Sequence, residues 1–156
     1  MILRLLAIGT HMPTWVETGF AEYAKRFTPP FSLTLIEIPA EKRQKNTDIS
    51  RLITKESEKL IAAVKPGHKI IALDVKGEAL STDSLAAHLK SFSAHGTALD
   101  CLIGRPDGLS PECLAKADAR WSLSPMTLPH PLVRILMAEQ LYRAVSLLKG
   151  HPYHRN

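Results

Sequence analysis

The end of the chain brings together side chains suited to proton transfer and to nucleic-acid contact. His151, Tyr153, His154 and Arg155 supply two imidazoles, an aromatic ring and a guanidinium. An imidazole can exchange a proton near neutral pH, a ring can stack on a base, and a guanidinium can grip a phosphate. A solvated terminus is the simpler interpretation, because free chain ends are usually disordered. Two histidines are too few for a metal site, so no metal is expected.

Two irregular segments could present backbone groups to a ligand. Residues 104–108 read Gly-Arg-Pro-Asp-Gly, and glycine permits positive φ and the close approach of a ligand. Residues 123–131 hold three prolines, which fix the backbone and leave amides and carbonyls outside any strand ladder. Taken alone, the first is equally a tight turn and the second a rigid connection. Neither segment matches a phosphate loop or the three-glycine dinucleotide fingerprint.

Positive charge is in excess along the chain. There are 20 Lys and Arg residues against 15 Asp and Glu residues, which gives a formal net charge of +5. Such an excess favours a polyanionic partner, although many basic proteins bind no nucleic acid. Lys42, Arg43 and Lys45 concentrate the charge in one polar segment. We interpret that segment first as a solvated loop and second as a phosphate contact.

Length and composition exclude several classes of protein. The 156 residues suit one domain, residues 1–156, and a content of 45% hydrophobic and 22% charged residues is typical of globular proteins. No apolar run reaches the ~18 residues of a membrane span, and the apolar start is expected to be a buried strand. Cys101 and Cys113 are too few for a disulfide scaffold and are expected to pack in the core. We expect a reduced, cytoplasmic protein.

Apolar runs and helical periodicity alternate along the chain. Strands are predicted for residues 2–8, 32–38, 69–75, 98–103 and 121–124. Helices are predicted to begin near Thr14, Ile49, Ser81 or Thr82, Pro111 and Pro131. Glu17 would complete a capping box with Thr14, Ser81 or Thr82 is the predicted N-cap of the third helix, and Ser110 is the predicted N-cap of the fourth.

This alternation predicts an α/β fold with a mostly parallel sheet and helices on both faces. Ligands of such sheets bind at the carboxyl ends of the strands. The loops after Leu73, Ile103 and Leu123 are therefore the places to look for a site.

The last helix is apolar almost all round its first half. Its apolar residues there are Leu132, Val133, Ile135, Leu136, Met137 and Ala138. Such a helix is either deeply buried or buried both in its own core and against a partner, and the second option predicts a homodimer. Arg134, Glu139 and Arg143 interrupt the apolar surface, either as flanking charges or as polar contacts at a shared site.

Several motifs are specific when they are taken together. Residues 102–108 read Leu-Ile-Gly-Arg-Pro-Asp-Gly, residues 123–130 read Leu-Ser-Pro-Met-Thr-Leu-Pro-His, and residues 151–155 read His-Pro-Tyr-His-Arg. The opening around residues 9–15 and the stretch of residues 36–43 add to them. In this order and over essentially the whole chain, the sequence resembles the bacterial ribosomal RNA large-subunit methyltransferase H family.

The resemblance implies the SPOUT class of methyltransferases, with a C-terminal trefoil knot and homodimers. Members of the family transfer a methyl group from S-adenosylmethionine to N3 of a pseudouridine in the helix 69 loop of 23S ribosomal RNA. Hydropathy alone would indicate an open, unknotted sheet, because knots are rare. The small chain has no separate RNA-binding domain, so the assembled ribosome is the expected substrate, with free subunits as the alternative.

The resemblance also implies positions for the methyl donor, at the three strand ends chosen above. They are Leu73, Gly104, Leu123, Ser124, Pro125, Met126, Thr127 and Leu128. One position departs from the family, because Arg105 stands where a second glycine is usual. If that glycine has positive φ, an arginine there is strained and its side chain must point away from the cofactor.

Catalytic roles follow from the same resemblance. Tyr153, His154 and Arg143 are expected to hold the target nucleotide across the dimer interface, while Arg155, Lys42 and Arg43 contact the RNA. Methyl transfer is an in-line displacement that depends on positioning, and the proton on N3 must leave. His154 is the candidate proton acceptor, and an orienting role is equally open.

Two other functions stay open at this point. The first is a non-catalytic ribosome-binding factor that keeps the fold, for which Arg105 is the only hint. The second is an α/β enzyme that uses another nucleotide, which the absence of a phosphate loop and of a dinucleotide fingerprint disfavours.

Overall fold

Five strands form one sheet in the computed structural model, which describes residues 1–155. They are β1 (Ile2–Ile8), β2 (Ser32–Ile38), β3 (Lys69–Ala79), β4 (Leu99–Ile103) and β5 (Ala119–Ser122). The pairings are parallel, and the order across the sheet is β2-β1-β4-β3-β5. The predicted parallel sheet is confirmed, and the carboxyl ends of the strands lie at one edge.

Helices link the strands in chain order, as parallel pairing requires. They are α1 (Thr14–Ala24), α2 (Ile49–Ala63), α3 (Thr82–Ala94), α4 (Pro111–Lys116) and α5 (His130–Leu148), followed by a 3₁₀ helix (Pro152–Arg155). Within residues 1–155, none of these helices has both the length and the apolar character needed to cross a membrane.

Two of the predicted helix caps are present and one is wrong. The Ser81 side chain accepts a hydrogen bond from the Ser84 N–H, and the Ser110 side chain accepts one from the Cys113 N–H. The capping box predicted at Thr14 does not form, because this residue already lies inside α1 and no side chain caps that helix. Local capping chemistry therefore accounts for the starts of α3 and α4 but not of α1.

The two faces of the sheet are covered by different helices. In β1, Leu3, Leu5 and Ala7 face a core built with α1, α3 and α5, while Leu6 and Ile8 face a core built with α2 and α4. Each of these five side chains is at most 1% exposed. The period-two alternation of the strand thus packs both faces, which confirms the prediction of helices on both sides.

β3 is longer than the sequence predicts, because it pairs with β5 in two places. Leu73 pairs with Trp121, and beyond an irregular stretch Glu78 pairs with the same residue. At Gly77 an added Cβ atom would lie 2.7 Å from the carbonyl carbon of Arg120, so only glycine permits this approach of the two backbones. The trefoil knot implied by the resemblance stays a prediction.

Both cysteines lie in the core, as predicted. Cys101 is fully buried between the sheet and its helices, and Cys113 is 2% exposed on α4. Burial raises the pKa of both thiols. They are therefore neutral packing residues at physiological pH.

A buried ion pair joins β1 to β4 at the amino end of the sheet. The Arg4 Nε and Nη2 atoms donate to the two Asp100 carboxylate oxygens at 2.7 and 2.8 Å. His68 Nδ1 lies 2.8 Å from Oδ1, and the Lys65 N–H donates to Oδ2 at 3.0 Å. Burial by itself would raise the pKa of Asp100, but these hydrogen bonds outweigh it and hold that pKa below its ordinary value.

Replacing Asp100 with asparagine should lower the free energy of unfolding at pH 7 by about 3 kcal/mol, because Arg4 would keep a buried charge without its partner. A carboxyl whose pKa is lowered by folding stabilises the protein fully above its unfolded pKa of about 3.9. That contribution is lost as the pH falls through the lower folded pKa. The difference between wild type and Asp100→Asn should therefore shrink below about pH 4, as measured by urea unfolding between pH 7 and pH 3.

Asp118→Asn is the matched control for this comparison. The Asp118 carboxylate also accepts a backbone hydrogen bond, from the Ile70 N–H at 2.7 Å, but its side chain is 40% exposed. Its replacement should cost less than about 1 kcal/mol. Equal losses for the two variants, or a loss for Asp100→Asn that does not change with pH, would contradict the account of the cluster.

Candidate functional site

A cavity of about 250 Å³ lies at the carboxyl ends of β4 and β5 and beside the middle of β3, at Leu73, Asp74 and Val75. Its lining residues are Leu73, Asp74, Val75, Ile103, Gly104, Arg105, Pro106, Asp107, Gly108, Leu109, Trp121, Leu123, Ser124, Met126, Thr127, Leu128, His130 and Val133. The segments that follow Leu73, Ile103 and Leu123 therefore border one space, but the predicted loop after Leu73 is wrong, because Leu73 to Val75 lie within β3 just before its irregular stretch. Of the predicted donor-binding residues, Pro125 alone is not among those lining the cavity.

Residues 104–108 form a tight turn that is also a wall of the cavity. The Gly108 N–H donates to the Arg105 carbonyl oxygen at 2.8 Å, and Gly108 has φ +95°. At Gly104 an added Cβ atom would lie 2.8 Å from Leu109 Cδ2 and 3.0 Å from the Gly108 carbonyl oxygen. A side chain at position 104 would therefore push the turn apart.

Residues 123–128 form a further wall, held by short-range hydrogen bonds. The Ser122 hydroxyl donates to the Ser124 carbonyl oxygen at 3.0 Å, and the Met126 N–H donates to the Ser124 hydroxyl at 3.0 Å. The Met126 and Leu123 side chains are 72% and 37% exposed. This wall therefore combines a hydrogen-bonded backbone with exposed apolar side chains that a bound ligand could cover.

Two buried polar atoms of the cavity residues have no hydrogen-bond partner among the described residues. They are Trp121 Nε1 and His130 Nδ1. Burial lowers the pKa of His130, and the positive charges of Arg134 and Arg105 lower it further. The His130 imidazole is therefore neutral at physiological pH. Unpaired buried donors and acceptors are costly in a folded protein, which makes their presence here a sign of a ligand-binding region.

A fully buried arginine anchors the start of α5 beside the cavity. Arg134 Nη1 donates to Glu37 Oε2 at 2.7 Å, and Nη2 donates to the carbonyl oxygens of Ile8 and Gly9 at 3.0 and 2.8 Å. Gly9 has φ +112°, and an added Cβ atom there would lie 3.2 Å from His130 Cε1. The helix is thus fixed to the ends of β1 and β2, and this fixes the position of His130.

From the sequence, Arg134 was either a flanking charge or a polar contact at a shared site. The sequence did not identify Trp121 and His130 as residues of the cavity. The usable signal for Arg134 was a lone charge within an apolar helical run. A charge in that setting needs a buried partner.

Arg105 lines the cavity, and its side chain extends towards α2. Among non-glycine residues in the described part of the chain, only His11 has positive φ, so Arg105 is not strained. Its guanidinium pairs with Glu56 on α2. Arg43 pairs with the cavity residue Asp107, and Lys42 lies beside it in the same loop.

The C-terminal residues fold onto their own α5. The Tyr153 hydroxyl donates to Glu139 Oε1 at 3.1 Å, and Arg143 Nε donates to the same oxygen at 2.8 Å. The Arg143 guanidinium carbon lies 4.8 Å from the centre of the Tyr153 ring. Burial and the Glu139 charge raise the pKa of Tyr153, and the hydrogen bond to Glu139 raises the pKa of Arg143. The structure therefore unites Tyr153 and Arg143, as the predicted shared role requires.

This C-terminal cluster is separate from the cavity within one chain. None of residues 151–155 lines the cavity. Val133, which does, and Arg143 lie about 15 Å apart along α5 at the rise of an α-helix. His154 Nδ1 is buried without a hydrogen-bond partner among the described residues, and Arg155 is exposed.

Comparison with known proteins places the chain in a family. The family model described as "Predicted SPOUT methyltransferase" matches residues 1–154. The "Ribosomal RNA large subunit methyltransferase H" of Azotobacter vinelandii is 52% identical over 155 residues, which cover 99% of this chain and 100% of that protein. Proteins of the same name from Pseudomonas putida and Pseudomonas aeruginosa are 51% and 50% identical over the same shares of both chains.

A solved structure has the same fold. It is that of a probable methylase family protein from Haemophilus influenzae Rd KW20, with a TM-score of 0.53 and 14% identity. The alignment covers 99% of this chain and 70% of the other. On the family match and the full-length identity, this chain belongs to the ribosomal RNA large subunit methyltransferase H family of SPOUT methyltransferases.

Proposed function

We propose that this protein is an S-adenosylmethionine-dependent methyltransferase that methylates N3 of a pseudouridine in the helix 69 loop of 23S ribosomal RNA. It acts on the assembled ribosome in the cytoplasm, as a homodimer of single-domain, knotted subunits. The observation that carries the proposal is the cavity at the strand ends, whose walls are the segments that resemble the donor-binding motifs of the family. The names of the full-length relatives support ribosomal RNA of the large subunit as the substrate.

The residues of the cavity fit this methyl donor. Leu73, Ile103 and Leu128 supply an apolar surface for a nucleoside, and the unpaired Trp121 Nε1 is a hydrogen-bond donor. The cavity residue Asp74 supplies a carboxylate that can face a positive amine. Gly104, Leu73 and residues 123–128 would hold the donor chiefly through their backbone and apolar side chains.

The chemistry that S-adenosylmethionine supplies when bound is a methyl group already activated for displacement by its sulfonium. The protein then has to orient the acceptor in line and to remove the proton from N3. The Tyr153 ring can stack on the target base, and Arg143 and Arg155 can hold phosphate. His154 accepts the proton at an imidazole nitrogen.

The separation of the two clusters supports the homodimer. Because the C-terminal residues do not line the cavity of their own chain, we propose that they complete the cavity of the partner subunit. Trp15 and Leu136 are 58% and 37% exposed, which leaves apolar surface on α1 and α5 for such contact.

The decisive experiment is transfer of a radiolabelled methyl group to ribosomes from a strain that lacks this modification. We expect label on the helix 69 pseudouridine of assembled ribosomes and much less on free subunits or naked RNA. Ribosome binding without transfer would favour the non-catalytic factor. Label elsewhere in the RNA would contradict the proposed target.

His154→Ala should lower the turnover rate by about 100-fold or more, since general-base catalysis contributes at least that much. The acid limb of the rate profile should disappear, because the variant has no general base at this position. Single-turnover methyl transfer between pH 5 and pH 9 measures both. A profile that keeps its shape at lower amplitude would assign His154 an orienting role instead.

Mixing two inactive variants tests the shared site. Gly104→Val disrupts the cavity wall, and His154→Ala removes the proposed proton acceptor. A homodimer of either variant should therefore be inactive. If the C-terminal residues act on the partner's cavity, one site of a mixed dimer combines the unaltered cavity of the His154→Ala chain with the unaltered C-terminal residues of the Gly104→Val chain. Activity should then return on mixing. Activity that stays absent in purified mixed dimers would mean that each chain uses its own C-terminal residues.

A further inference from the structure

Arg105 and Glu56 form a largely buried ion pair behind the wall of the cavity. Arg105 Nε lies 3.1 Å from Glu56 Oε1, and Nη2 lies 2.9 Å from Oε2, so both carboxylate oxygens are engaged. The two side chains are 18% and 6% exposed. This two-atom geometry is the strongest that an arginine makes with a carboxylate, and it fixes orientation as well as distance.

The same carboxylate also holds the loop between β2 and α2. Glu56 Oε2 accepts a hydrogen bond from the Glu41 N–H at 3.0 Å. Arg43, in the same loop, pairs with Asp107 in the turn that follows β4. The basic loop and the 104–108 turn are thus joined three times: through Glu56, through a hydrogen bond at 3.5 Å from Arg105 Nη2 to the Glu41 carbonyl oxygen, and through the Arg43–Asp107 pair.

The pair bears on the cavity because Arg105 immediately follows Gly104 in the turn that forms one wall. Breaking it would leave Glu56 as a buried, unpaired charge. The protein can relieve that cost by moving α2, the basic loop or the turn itself. Loss of the pair would therefore remove one restraint on the 104–108 turn, which would then be held by the Gly108 to Arg105 hydrogen bond and the Arg43–Asp107 pair.

We propose that Arg105 is a positioning residue that acts through Glu56. The ion pair holds the 104–108 turn in the shape that binds the methyl donor, and by sharing Glu56 it ties that shape to the basic loop. The inference rests on the proposed function, since it deepens the role of the same site. Arg105 itself need not touch the donor, because its guanidinium is occupied by Glu56.

A double-mutant cycle tests the proposal. The variants are Arg105→Gly, Glu56→Gln, their combination and Arg105→Lys, with Arg51→Ala as a control that removes an exposed arginine from α2. The measurements are the Kd for S-adenosylmethionine by calorimetry, the KM for donor and for ribosomes, kcat, and the free energy of unfolding. Glu56→Gln and Arg105→Lys keep the test usable if Arg105→Gly folds poorly.

Arg105→Gly and Glu56→Gln should each raise the Kd and KM for the donor by about tenfold. The Kd and KM of the double variant for the donor should be no higher than those of the weaker-binding single variant, because both changes break the same ion pair. Arg105→Lys should fall between wild type and Arg105→Gly, since a lysine keeps the charge without the two-atom geometry. The kcat at saturating donor should change by less than about twofold, as for Arg51→Ala, and the KM for ribosomes should rise less than the KM for the donor, because the Arg43–Asp107 pair still holds the basic loop.

Three results would overturn the inference. Donor binding that is unchanged in Glu56→Gln but weakened in Arg105→Gly would mean direct contact with the donor. A lower free energy of unfolding with an unchanged Kd would mean a purely structural pair. Additive effects in the double variant would mean independent roles. If the unaltered protein bound no S-adenosylmethionine, the proposed function itself would be contradicted. If the unaltered protein and all variants bound it equally well, only the positioning role of Arg105 would be contradicted.

Discussion

Parallel pairing of the five strands is the constraint on which the rest of the molecule depends. A parallel strand cannot return through a tight turn, so each of the four connections between strands is a crossover that contains a helix. Those helices cover both faces, which explains why β1 and β4 are apolar on both sides. The same constraint places the carboxyl ends of β4 and β5 beside the middle of β3, where Leu73 to Val75 and the loops after β4 and β5 surround the cavity.

Buried charges stabilise the sheet at its two ends. At the amino end, Arg4 and Asp100 join neighbouring strands, and at the carboxyl end Arg134 joins α5 to Glu37 and to the backbone after β1. A buried charge needs a specific partner, so each pair fixes one arrangement of its elements. The second pair also fixes His130 beside the cavity. The opposite end of α5 carries the C-terminal cluster, so one rigid helix sets the distance between the two groups of functional residues.

Much of the fold could be predicted from local pattern. The apolar runs located β1 and β2 to the residue, and Ser81 and Ser110 identified the starts of α3 and α4 because capping depends on near neighbours. The second pairing of β3 with β5 could not be predicted. It joins Glu78 to Trp121 and Ala79 to Ser122, and it depends on a backbone approach at Gly77 that only the folded chain creates.

The sequence by itself determined the order of the elements, the three loops that border the site and the residues of the C-terminal cluster, because hydropathy and short-range motifs encode them. Only the tertiary structure decided which side chains meet across the chain. It paired Arg134 with Glu37 and Arg105 with Glu56, and it set Tyr153 on Glu139 rather than in the cavity. These contacts depend on the packing of distant segments, and the strength of an ion pair depends on burial that no local pattern records.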